Sequence, residues 1–167
     1  MNKGWVLGIG LVMGLHHSAW AQEAVTIEVT LPAIEGPMYY RPYVAVWVEN
    51  DQGEVVKNIA LWSKEPDWLK DMRRWWRKTG RYGGADIDAV SGATRRPGSY
   101  SLSWDGMDAQ GQSLSPGRYS VHVEAAREHG SRSWVQADIE LGSGPKKYTI
   151  EPSEELGEIH IMTGVTP

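Results

Sequence analysis

YVAVWVEN, residues 43–50, is apolar at alternate and intervening positions alike. Side chains of an extended chain point to opposite faces in turn, so this run is a strand that needs apolar cover on both sides and belongs at the centre of a sheet. It runs through Asp51, Gln52 and Gly53 into EVVKNIALW, residues 54–62, which predicts a hairpin, and Pro42 marks its entry.

The other strands follow the simpler pattern of one dry face. In VTIEVTL, Val25, Ile27, Val29 and Leu31 alternate with Thr26, Glu28 and Thr30. SYSLSWDG and RYSVHVEA alternate in the same way, and WVQADIEL, KKYTIEP and EIHIMTG supply three more short strands. Between the hairpin and these strands lies EPDWLKDMRRWWRKTG. Its Trp68, Leu69, Met72, Trp75 and Trp76 recur with helical spacing, Pro66 and Asp67 suit a start, and Gly80 suits an end. The opposite face carries Lys70, Arg73, Arg74, Arg77 and Lys78. These patterns predict an all-β chain: an antiparallel immunoglobulin-like β-sandwich with one short inserted amphipathic helix.

At the start of the chain, Lys3, the apolar stretch from Trp5 to Leu15 and the triplet Ala19-Trp20-Ala21 read as a secretory signal peptide over residues 1–21. Residues 22–167 are then one β-sandwich domain, exported to the periplasm and with no membrane span in the mature chain. Loss of Lys3 takes the formal charge from −4 to −5, which offers nucleic acid no electrostatic footing. The absence of cysteine removes disulfides, thiolate catalysis and cysteine-ligated metals.

Templates for chemistry match poorly. His122 and Glu124 share a strand face and His129 follows nearby, but no H-x-x-x-H or H-E-x-x-H spacing exists. Ser91 lacks the first glycine of G-x-S-x-G, and Gly92-Ala93-Thr94 lacks the lysine and spacing of a phosphate-binding loop. Asp105 and Asp108 do not fit a calcium loop and read as turn residues that bond their own backbone. Their segment, WDGMDAQGQSLSPGRYSVHV, resembles a wide hairpin of flagellar-hook-cap-like immunoglobulin domains.

One segment remains. Asp88-Ala89-Val90-Ser91-Gly92-Ala93-Thr94 fits, at every position, the D-x-x-[ST]-G-A-[ST] signature at which ApbE-type flavin transferases attach FMN to extracytoplasmic proteins. It is similar to the flavinylated segments of the sodium-translocating NADH:quinone reductase and of related FMN-binding domains, whose fold differs from a sandwich. The resemblance implies a phosphodiester between FMN and Thr94, with Asp88 recognised by the transferase, Ser91 completing the signature, and Gly92 and Ala93 keeping the approach clear. Arg95 and Arg96 are placed to meet the remaining phosphate charge. Trp75 and Trp76, with Arg127 and His129, are the expected wall for the flat ring.

RPYVAVWVEN, WLKDMRRWWRKTG, DAVSGATRRPG, LSWDG, GRYSVHVEAAREHG and ELGEIHI together resemble a family of predicted periplasmic proteins of unknown function, often associated with PepSY-type membrane oxidoreductases and flavin transferases. That resemblance spans about residues 25–162 and implies an electron carrier rather than a stand-alone enzyme, with no catalytic residue assigned. Two other classes are a cofactor-free immunoglobulin-like binding or assembly module, in which the loop is only a turn, and a metal- or haem-contacting accessory.

Overall fold

A computed structural model describes residues 23–36 and 38–164; the expected signal peptide lies outside the described residues. Among the described residues, nine strands are arranged in two sheets: β1 (Val25–Leu31), β2 (Tyr43–Glu49), β3 (Val55–Ser63), β4 (Ser91–Ala93), β5 (Gly98–Trp104), β6 (Gly117–Ala126), β7 (Arg132–Leu141), β8 (Lys146–Ile150) and β9 (Ile159–Thr163). One sheet has the order β5-β1-β9-β8 and the other β4-β3-β2-β6-β7. The all-β sandwich predicted from the alternating segments is therefore present.

Between the sheets lies the main core. Val25, Ile27, Val29 and Leu31 from β1 and Ile159 and Ile161 from β9 pack with Val44, Val46 and Val48 from β2 and Val121, Val123 and Ala125 from β6. Trp62 and Trp104 fill the larger gaps in this cluster. The alternation of β1 thus faces the sandwich interior, and its threonines and glutamate lie on the half-buried side.

Every residue of β2 is buried. One face meets the opposite sheet; the other, with Tyr43, Ala45 and Trp47, lies under a helical segment that contributes Met72, Trp75 and Ile87 to a second core. The two-sided apolar pattern of this strand is satisfied by two different covers.

That cover is not one amphipathic helix. It consists of a 3-10 turn at Pro66–Asp71, α1 (Arg73–Lys78), a 3-10 turn at Gly80–Tyr82 and α2 (Ala85–Val90). Met72 breaks the first stretch, with ψ at 73°, and its side chain is fully buried. Backbone N–H groups of Arg74 and Trp75 would be left open by that break, and both are taken by the Glu124 carboxylate of β6, at 3.2 and 2.8 Å. The helix start is thus fixed from another strand. The antiparallel description also needs one correction: β4 pairs parallel with β3, Leu61 facing Ser91, Trp62 facing Gly92 and Ser63 facing Ala93.

Candidate functional site

The segment read as a loop before β5 is structured. Ile87 anchors α2 in the second core, and Ser91 terminates it, donating from Oγ to the Ile87 carbonyl at 2.7 Å and from its N–H to the Asp88 carbonyl. The chain then adds β4 to the sheet edge and leaves it at Thr94, which is half-buried. Beyond it, the Arg95 guanidinium lies 5.4 Å from the centroid of Trp62 and 5.6 Å from that of Tyr100. The Tyr100 hydroxyl donates to the Arg96 carbonyl at 2.8 Å, which closes the segment. Asp88, Gly92 and Ala93 are exposed.

Gly92 is informative because the fold does not require it. Its φ lies outside the left-handed region, and a Cβ built there would meet no atom within 4 Å. A larger residue fits the chain at this position, so any need for glycine comes from something approaching from outside.

Thr94 borders a cleft of about 310 Å³ with Tyr39, Tyr40, Arg41, Tyr43, Lys64 and Glu128. Burial raises the phenol pKa values of Tyr39 and Tyr43, so both stay neutral at pH 7. The ring of Tyr40 stands 5.3 Å from that of His129, tilted by 58°. His129 itself is exposed and adopts φ 55°, at a turn. Arg127 is already engaged: its Nε and Nη2 donate to the fully buried Glu155 at 2.9 and 3.1 Å. Burial of that carboxylate makes the bidentate pair a structural clamp. Its neighbours Glu128 and His129 also border a second cleft with Trp68, Arg73 and Arg132.

The tryptophans expected to wall a cofactor are placed elsewhere. Trp75 is 1 % exposed and donates from Nε1 to Asn58 Oδ1 at 3.0 Å, which leaves no free ring face. Trp76 is partly buried against the same core. The basic face is also less open than its composition suggests. Arg74 and Lys78 reach the buried Glu49 carboxylate at 3.3 and 3.2 Å, and the Arg74 guanidinium covers the Trp134 ring at 4.2 Å from its centroid. Arg73 and Arg77 remain exposed.

Beneath this cover, the strand-face pair of His122 and Glu124 noted in the sequence joins Glu49 in a polar group that local patterns did not assemble. His122 is stacked between Trp47 and Trp134, with ring centroids 5.0 and 5.9 Å away and planes within 9 and 11° of parallel. Burial pushes its pKa down to about 4, against the opposing pull of Glu49, so the ring is neutral at pH 7. Its Nδ1 accepts the Trp134 N–H at 3.3 Å, which assigns the proton to Nε2, facing Glu49 Oε1 at 3.7 Å. Burial alone would raise the Glu49 carboxyl; the Trp47 N–H at 2.9 Å, His122, Lys78 and Arg74 outweigh it and hold the pKa below its ordinary value. Charged residues within apolar strands, Glu49 and Glu124, were the available signal.

Among the described residues, no three His, Asp or Glu side chains converge as a metal site, and no helix is long and apolar enough to cross a membrane. Asp105 and Asp108 bond the backbone ahead of them, the former to the Met107 N–H and the latter to the N–H groups of Gln110 and Gln112. They are the turn residues predicted.

Fold and site together define a class: a two-sheet β-sandwich, one sheet roofed by short helices and edged by a short exposed strand that leads into Thr94. The chain belongs to the family described as predicted periplasmic protein (DUF2271), whose model matches residues 24–158, and it is accordingly periplasmic. No curated protein matches it.

Proposed function

We propose that this protein is a periplasmic flavin carrier, with FMN joined through a phosphodiester to Thr94. An ApbE-type transferase loads it, and a PepSY-type membrane oxidoreductase exchanges electrons with it. The observation that carries this reading is the setting of the complete seven-residue signature. Thr94 follows the exposed edge strand and lines a cleft, two residues after a glycine for which the fold itself has no use.

In the loading step the Thr94 hydroxyl attacks the FMN-side phosphorus of FAD, a P–O bond to Thr94 forms, the bond to the adenylate breaks, and AMP departs. The hydroxyl proton passes to the transferase's base. No change of oxidation state is involved. Once attached, FMN supplies one- and two-electron chemistry, and the protein supplies its position and electrostatics.

Intact-mass measurement of periplasmic protein co-produced with an active transferase tests this. The expected result is an increment of one FMN less one water, abolished in Thr94→Ala. An unmodified wild-type chain, or an increment that persists in Thr94→Ala, overturns the reading, and a colourless unmodified chain favours the cofactor-free module.

A further inference from the structure

Parallel pairing of β4 with β3 has a geometric result. Ser63 and Ala93 are paired and both strands run the same way, so Lys64 and Thr94, one residue further on, leave the sheet side by side. Strand β2 is antiparallel to β3 and enters at the same end, bringing Tyr39, Tyr40 and Arg41 from the chain just before Pro42. Strand β6 ends there too, opposite Tyr43 at Ala126, and delivers Glu128 and His129. Four chain segments, that of Thr94 among them, therefore meet at this end of the sheet.

We infer that this junction is the seat of the flavin, with the Tyr40 phenol forming the wall for its ring and Lys64 and Arg41 facing its phosphodiester. The inference rests on the reading of Thr94 given above. Phenol rings offer flat, polarisable faces suited to a fused heteroaromatic ring, and Thr94 borders the same cleft of about 310 Å³. The charges also suit the ligand. Lys64 and Arg41 less Glu128 leave one net positive charge, against the single negative charge of a phosphodiester. Of the expected partners, Trp75 is closed by packing and Arg127 is held by Glu155, whereas His129 reaches this junction through Tyr40.

A phenol in van der Waals contact with a flavin quenches its emission, so the test is fluorescence of the loaded protein at matched FMN absorbance, folded and then unfolded in guanidinium. The wild type is expected to brighten several-fold on unfolding, and folded Tyr40→Leu to recover most of that brightness with its mass increment intact. Tyr40→Phe keeps the ring volume, and so the packing, yet removes the phenol; it is expected to brighten as well. Trp68→Leu, in the second cleft, should remain as dim as wild type. A folded wild type as bright as the unfolded one, unchanged dimness in both Tyr40 variants, or brightening in Trp68→Leu alone overturns the seat while leaving the attachment standing. An unloaded wild type removes both.

Discussion

The five-stranded sheet carries two polar groupings that solve opposite problems. Under the helical cover, Glu49, Glu124 and His122 are almost wholly buried, and each carboxylate is engaged by cations and N–H donors of the chain itself. At the β4 edge, Asp88, Gly92, Ala93 and Thr94 are exposed or half-exposed. Burial without partners is costly, so the first grouping is explained by the fold it holds together. The second contributes almost nothing that the fold needs, and its residue types call for an explanation outside the chain. Two glycines state the contrast at single positions. A Cβ on Gly80 would overlap the ring of Trp75, whereas one on Gly92 would meet open space.

The largest test of this contrast is Glu124→Ala. It removes the acceptor for two helix N–H groups and the partner of Arg132 from a fully buried position, and is expected to cost about 3–5 kcal/mol in urea unfolding. Thr94→Ala should change stability by less than about 0.5 kcal/mol. Equal losses would break the comparison.

Next in size is the response to acid. His122 has a folded pKa of about 4 against an ordinary 6.5, so the unfolded chain binds its proton first and stability falls as pH drops through that window. Glu49, held below its ordinary value, loses its contribution in the same direction at the lower end. A decline of roughly 3 kcal/mol between pH 7 and 4 is expected from the histidine. Urea midpoints across this range should fall less steeply in His122→Gln; an unchanged slope would remove His122 from the account.

Smaller effects come from the glycines. Gly80→Ala should destabilise by about 1–3 kcal/mol through overpacking against Trp75, measured by thermal or urea unfolding. Gly92→Ala should leave stability within about 0.5 kcal/mol of wild type yet slow FMN loading by the transferase in a time course of intact mass. Normal loading of that variant would leave Gly92 without an assigned reason.

Strand periodicity carried most of the architecture. The period-two pattern of β1 and the two-sided pattern of β2 locate those strands, because the face each residue occupies there is set by its parity along the strand. Local patterns could not show that the helix breaks at Met72, since the acceptor that fixes the new start is Glu124, 50 residues from Arg74 in sequence. Nor could they reveal β4, whose three residues are all exposed and have no alternation to display. The signature ending at Thr94 was legible as a motif. Its tyrosine and lysine neighbours were not, because a parallel pairing between distant segments brings them together.

That short outer strand also orders events in time. Strand β4 is only three residues long and pairs on one side alone, so lifting it would disturb one row of hydrogen bonds at the rim and leave both cores intact. If a transferase grips the segment as an extended substrate, as proposed above, it need not meet an unfolded chain. On the flavin-carrier proposal, the sandwich would receive its cofactor as a finished part rather than a nascent one.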